Sequence, residues 1–487
     1  MSVSPLILTL DIGTTHIKTF IFGLDGRELY SRAADTPYND HKRQDAAKVL
    51  EVCLDLSHKI LTDLAAVNLQ PQGLCISGAM HSLVPVDDKI TPLDLALLWS
   101  DNEGASLASA LRSTSHGKEI FNETGTPIHP MSVLIKIAWM RDAKPEIFKQ
   151  AAFFISIKEF VYFHLTGCRQ IDLSIASSTG LFGAISMSWS TAALDFAGVQ
   201  ANRLFAPVSP YHFETLLPEL RTAWRLDTSF KVIIGASDGC LATLGAAPLE
   251  PGNISLSLGT SGALRSVIPS FKTDAAGNLF TYLLDENHYI IGGPSNNAGG
   301  VFTWFVSLFS SGKPGSEDYN RIINGAAAIA PGSDGLHFEP WLFGERAPYW
   351  NASLTAAFKN LTQAHTAGHM GRAVIEGVLY NIKTILKLIE INVKVKQLFA
   401  GGGLTRFPLW RQLLADILDK PILFGEDKED SSAGAAIMGF KALGLIPQLE
   451  SETAFHSHGF LVEPEPVVAA TYAELYKTSI TIAEVAR

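Results

Sequence analysis

Two short turns in this chain carry the residue types that handle phosphate. The first is Asp11-Ile-Gly13-Thr14-Thr15, which follows an apolar run and precedes Lys18. The second, half a chain later, is Ser257-Leu-Gly259-Thr260-Ser261-Gly262, again between apolar runs. Apolar run, small polar turn, apolar run is the pattern of a β-hairpin whose turn exposes amides and hydroxyls. Gly13, Thr14 and Thr15 would offer such groups to phosphate oxygens in one turn, and Gly259 and Thr260 in the other, with Lys18 adding a positive charge. Asp11 ends a predicted strand, where an unpaired carboxylate is costly to bury. It suits a hydrated Mg²⁺, which prefers one or two carboxylates plus water and phosphate oxygens. The plainer alternative is an Asp that caps its own turn. The repetition favours phosphate, because two such turns can grip a triphosphate from both sides.

Two further places could meet a ligand. Asp238 stands at a predicted strand-to-helix junction between Gly235 and Gly239. Glycine lets a backbone approach a ligand, and strand ends in α/β folds are where ligands sit; the competing role is a helix N-cap. Gly401-Gly402-Gly403 leaves a surface without side chains, suited to an adenine or its sugar, or simply a flexible loop. His365 and His369 are four apart on a predicted helix, but the H-E-x-x-H glutamate is missing. The chain has no G-x-x-x-x-G-K-[ST] loop, none of the protein-kinase motifs and no G-x-S-x-G elbow.

The elements that must position these residues alternate in type. Gly73–Gly78 and residues 231–235 read as buried strands, the second followed by an apolar helix ending near Gly245. In the second half, helical periodicity covers 368–390, then come a strand at 397–400, a helix at Pro408–Leu418 and a strand at Ile422–Phe424. Strands alternating with helices predict an α/β class, and the repeated hairpin predicts a duplicated architecture. The hinge falls at 244–250, near Pro248 and Pro251, which divides the chain into domains 1–246 and 247–487.

Composition narrows the function. With 487 residues, 47% hydrophobic and 18% charged, the chain is long and apolar enough for two cored domains and too apolar for disorder. The most apolar window, 151–165, is broken by Lys158 and Glu159, so no membrane span is expected, and no basic start marks a secretory signal. A net charge of −10 argues against nucleic-acid binding. Cys53, Cys75, Cys168 and Cys240 form no C-x-x-C pair and read as reduced thiols of a cytoplasmic protein.

On these motifs the chain resembles the FGGY family of carbohydrate kinases. The likeness runs from the first turn through Trp99-Ser-Asp101-Asn102, Gly235-Ala-Ser-Asp238-Gly239, the second turn and Gly401-Gly-Gly403 to Trp410-Arg411-Gln412. Lys136-Ile-Ala-Trp139-Met140 looks like the family's first signature region, with Val133 at a position usually Pro, Ser or Thr. Residues 356–376 look like its second, with Asn360 at the usual glycine. The resemblance implies two duplicated actin-like, ribonuclease-H-like domains with a nucleotide and sugar cleft between them, and ATP and Mg²⁺ as cofactors. It implies that Asp238 orients the acceptor hydroxyl and takes its proton, and that Gly299, Gly402 and Gly403 lie against the nucleotide. Met80, His81, Trp99, Asp101 and Met131 would meet the sugar.

Within the family, Ala79-Met80-His81-Ser82 and residues 125–131 are similar to members acting on gluconate, which implies phosphorylation of its terminal hydroxyl. A xylulose or polyol kinase is the alternative in the same chemistry, and an actin-like ATPase switch is the alternative in another class. Glu103 stands where an arginine usually follows W-x-D-N, so a cation for the sugar-acid carboxylate is expected from His81, Lys158, His129 or Arg346. The expected partners are small molecules, with no nucleic acid and no membrane; a homodimer stays open.

Overall fold

The computed structural model describes residues 4–39, 43–425, 429–450, 454–456 and 459–485. Its chain forms two compact units. One comprises Met1–Glu250, Val267–Ile290 and Lys428–His456, the other Pro251–Ser266, Ile291–Asp427 and Ser457–Arg487.

The first unit is built on a six-stranded sheet in the order Phe213–Thr215, Lys231–Ser237, Gly73–Gly78, Leu6–Ile12, His16–Gly23, Glu28–Asp35. Leu6–Ile12 is buried at every residue, so both its faces need cover. Leu6, Leu8, Leu10 and Ile12 join one core with Val49, Cys53, Ile60 and Leu64 of the helix Ala46–Ala66. Ile7, on the other face, joins Cys75, Cys240 and the small residues Ala433, Ala435 and Ala436 of the helix Asp430–Ala442. That helix lies very close to the helix Asp238–Ala246. A Cβ at Gly434 would stand 2.0 Å from the Leu241 carbonyl, and one at Gly245 would stand 2.0 Å from that of Asp430. A third cluster forms around the helix Val133–Ala143 and takes in Leu83, Leu97 and Ile128. It anchors the chain that carries His81, Trp99 and His129.

The second unit repeats the central pattern. Asn253–Leu258 pairs antiparallel with Gly262–Ile268 and parallel with Gln397–Gly401, followed by Ile422–Phe424 and Phe460–Val462. In the first unit Leu6–Ile12 likewise pairs antiparallel with His16–Gly23 and parallel with Gly73–Gly78. The long helix Ala367–Asn392, which periodicity placed at 368–390, is buried along most of its length. The fold is therefore α/β and duplicated. The units are discontinuous in sequence: residues 428–456 return to the first because their small-residue helix packs on Asp238–Ala246. Among the described residues no helix is long and apolar enough to cross a membrane, and the four cysteines are free thiols.

Candidate active site

Register explains how the first turn is assembled. Asp11 lies opposite Lys18 across the antiparallel pair and opposite Ser77 across the parallel pair. Its carboxylate is 8% exposed and accepts hydroxyl hydrogen bonds from Ser77 at 2.6 Å and Ser431 at 2.9 Å. Asp11 thus sits within the strand, held by two serines, and its side chain is not spent on capping the turn. Burial pushes its carboxyl above the usual carboxylate range, while the serine hydroxyls and the Lys18 charge pull the other way. Lys18 Nζ is 2.5 Å from Glu429 Oε1. In the turn itself, Gly13 N–H donates to the His16 carbonyl at 3.1 Å, and the Gly13 carbonyl accepts from Thr36 Oγ1 at 2.9 Å. The Thr14 carbonyl accepts from Tyr38 Oη and from Gln44 Nε2. Thr15 is exposed and Thr14 half-buried, so their side chains border solvent on a braced backbone.

Mg²⁺ can be tested against these donors. Among the described residues no cluster of three or more His, Cys, Asp or Glu side chains could form a metal cage. A hydrated Mg²⁺ needs none, since one or two carboxylates with water and phosphate satisfy it. Asp11, a buried carboxylate disfavoured in its charged form by desolvation, offers hard oxygen where a cation would relieve that cost. The residues fit.

Asp238 begins the helix Asp238–Ala246, but the N-cap is Ser237, whose hydroxyl accepts from Cys240 N–H. The capping alternative is thus filled by its neighbour. Asp238 is half-buried, and its Oδ1 accepts from Gly239 N–H at 2.7 Å. Gly235, just before, has φ +66°, and a Cβ there would stand 2.0 Å from the Ile76 carbonyl. Only glycine allows the two strands to meet so closely beneath the junction.

The residues expected to meet the sugar lie on three segments of the first unit. His81, buried with φ +69°, follows the half-buried Met80 beyond the end of Gly73–Gly78. Met131 and His129 are buried just before the helix Val133–Ala143, and His129 Nδ1 accepts from Met131 N–H at 3.2 Å. Trp99 and Asp101 form the third segment, and Trp99 Nε1 stands 3.5 Å from Thr14 Oγ1, beside the phosphate turn.

Of the four cations expected for a sugar-acid carboxylate, Lys158 is engaged elsewhere. Lys158 is 2% exposed, bonded to Asp172 Oδ2 at 2.6 Å and to the Ala236 carbonyl at 3.0 Å. Its charge is already matched, and its chain packs under Gly78, so it serves the core. Arg346 belongs to the second unit, where its Nη2 donates to the Ser295 carbonyl at 3.4 Å. A basic group at the Trp99–Asp101 turn is Arg43, which pairs with Glu103 and lies 3.5 Å from Asp101. Sequence reasoning missed Arg43, Ser77, Ser431 and Glu429, all far from their partners along the chain.

In the second unit the other predicted residues converge on one edge. Gly259 N–H donates to the Ser261 carbonyl at 3.0 Å and leaves Gly259 and Thr260 exposed. The helix Gly299–Ser307 starts against this turn: Gly299 N–H donates to the Gly259 carbonyl at 2.8 Å, and Gly300 N–H to that of Thr260 at 2.9 Å. A Cβ on Gly299 would lie 2.5 Å from the Gly259 oxygen. Gly402, at φ +106°, comes equally close to Leu258, with a Cβ position 2.6 Å from its carbonyl. Gly403 has open space where a side chain would stand. Buried Glu345 braces the preceding loop, accepting from Ser295, Asn297 and Asn381 side chains. Burial raises its carboxyl above the usual range.

The N-terminal domain of the FGGY family of carbohydrate kinases matches residues 6–245, and the C-terminal domain matches residues 254–443. A gluconokinase of Bacillus licheniformis is 36% identical over 462 residues, covering 92% of this chain and 90% of that protein. Gluconate kinase from Lactobacillus acidophilus superposes with a TM-score of 0.92 at 30% identity, over 99% of this chain and 98% of that one. A xylulose kinase from the same species reaches 0.92 at 29% identity with the same coverage.

Proposed function

The chain belongs to the FGGY family of carbohydrate kinases, and from that premise we propose that it is a gluconokinase. It moves the γ-phosphoryl group of ATP to the terminal hydroxyl of D-gluconate and yields 6-phosphogluconate and ADP. The observation that carries the chemistry is Asp238, a half-buried carboxylate at a strand end whose capping duty falls to Ser237. The observation that favours gluconate over xylulose is 36% identity to a gluconokinase across nine-tenths of the chain, since overall shape does not separate the two activities.

Phosphoryl transfer asks for positioning and charge neutralisation more than covalent chemistry. Met80, His81, Trp99, Asp101 and Met131 hold the sugar acid. Asp238 orients its terminal hydroxyl and accepts the proton as the new P–O bond forms and the bond to ADP breaks. Gly259 and Thr260 receive phosphate oxygens, Gly299, Gly402 and Gly403 face the nucleotide, and Thr14, Thr15 and Lys18 supply the remaining phosphate contacts. Asp11 would hold Mg²⁺, which would supply charge neutralisation on the phosphates. Residues 1–246 then carry the sugar-binding residues, the first phosphate turn and Asp238, and 247–487 carry the second phosphate turn and the adenosine-binding residues. The setting is the cytoplasm, with ATP and a small sugar acid as partners.

A coupled ADP-release assay over gluconate, xylulose, ribulose, glycerol and fuculose tests this reading. Gluconate should give the highest kcat/KM. Equal or better turnover of xylulose would reject the gluconate assignment, and full ATP hydrolysis without any acceptor would favour a nucleotide switch.

A further inference from the structure

Lys136 lies one turn into the helix Val133–Ala143 with its side chain buried, at 3% exposure. Its ammonium donates to the Met131 carbonyl at 2.8 Å and to the His81 carbonyl, which belongs to a segment 55 residues earlier. Asp101, on the third sugar-side segment, is the carboxylate whose charge favours the ammonium. One buried cation therefore ties two of the three segments assigned to the acceptor, and the third acts on it through the Asp101 charge. An apolar side chain would fill this volume without the cost of burying a charge. What lysine adds is fixed backbone geometry. His81 needs such support, because a non-glycine residue at φ +69° is held only where its surroundings over-determine it.

We propose that Lys136 is a positioning residue for the acceptor: by tying the His81 and Met131 carbonyls to one ammonium, it sets the geometry in which the sugar is bound. The inference rests on the assignment of these segments to the acceptor and goes beyond it in naming the group that aligns them.

The electrostatic surroundings are simple. On its own helix the last-turn Arg141 pairs with Asp142. The helices packed against it carry Arg112, which is half-buried, and Glu146, Lys149 and Asp195, which are exposed. Beyond Asp101 stand Arg43 and Glu103, and the tied segments themselves carry His81 and His129. Burial brings the Lys136 ammonium down to about 7, with Asp101 opposing the shift. An unfolded lysine titrates at about 10.4. Between these values the unfolded chain binds more protons than the folded one, so this group's contribution to stability rises with pH. If it positions the acceptor through its charge, acceptor affinity falls over the same interval. A merely structural lysine would move the two together.

The test uses the full-length enzyme and whichever of gluconate, xylulose or glycerol the unaltered protein turns over fastest, so failure of the gluconate assignment leaves it readable. Lys136→Met should raise the acceptor KM about 10–100-fold, the range for losing a charge-assisted hydrogen bond, with ATP KM changed less than about 3-fold. Lys136→Arg, which keeps the charge, should recover part of that loss. In the unaltered enzyme, acceptor KM should climb from about pH 7 to about pH 9 while the thermal midpoint does not fall. If Lys136→Met does not fold, the arginine variant and the pH profile decide. Parallel rises in acceptor and ATP KM, or an acceptor KM flat across that pH range, would overturn the proposal.

Discussion

Replacing Asp238 by asparagine separates chemistry from folding more cleanly than any other single change in this protein. Asparagine has the same shape and keeps an oxygen that can accept from Gly239 N–H, now at 2.7 Å. The helix cap is untouched, because Ser237 supplies it. What folding loses is a negative charge in the first helical turn, worth about 0.3–1 kcal/mol against the helix dipole. What the reaction loses is the proton acceptor, and general-base contributions run to about 10²–10⁴-fold. At about 1.36 kcal/mol per decade, that is roughly 2.7–5.4 kcal/mol of transition-state stabilisation. The rate effect therefore exceeds the stability effect several-fold. Coupled ADP release with saturating ATP and gluconate measures the first, thermal unfolding the second, and ATP titration checks that nucleotide still binds. A variant that keeps half of wild-type turnover would refute the assignment of Asp238. A large loss of both turnover and stability would show that the carboxylate supports the strand-to-helix junction instead.

Three other outcomes are expected. Asp11→Asn should raise the Mg²⁺ concentration for half-maximal activity without lowering the thermal midpoint, since burial already disfavours the charged form of Asp11; an unchanged Mg²⁺ titration would remove Asp11 from the metal site. Gly402→Ala forces a Cβ to 2.6 Å from the Leu258 carbonyl at φ +106°, so ATP KM should rise about 10-fold with about 1–3 kcal/mol of backbone strain, and steady-state kinetics with normal values would place the nucleotide elsewhere. Lys158→Met strands the buried Asp172 and should lower stability by about 3–5 kcal/mol in denaturant titration. Partial recovery is expected in the Lys158→Met, Asp172→Leu double variant; a stable single variant with a raised gluconate KM would restore Lys158 as the substrate's cation.

Much of the architecture was legible in the chain because its signals are local. The apolar run of Leu6–Ile12 and the 3.6-residue period of Ala367–Asn392 report which residues are buried, and burial decides the element. The helix Pro408–Leu418 and the strand Ile422–Phe424 lie where periodicity and proline placed them. The two turns were legible for the same reason, as small polar residues between apolar runs. Partnership was not legible, because side chains meet through register and packing. Asp11 finds Ser77 only because parallel pairing sets them side by side, and Ser431 only because a helix of small residues returns to the first unit. Lys158 reads as a free cation in sequence, but Asp172, 14 residues later, matches its charge. Arg43 lies 60 residues before Glu103, and Lys136 lies 55 after His81. Sequence determined which residue types could do the chemistry and on which elements they sit. Tertiary structure alone decided which charges are matched in the core, since Coulombic and hydrogen-bonding energies depend on distance in space and not along the chain.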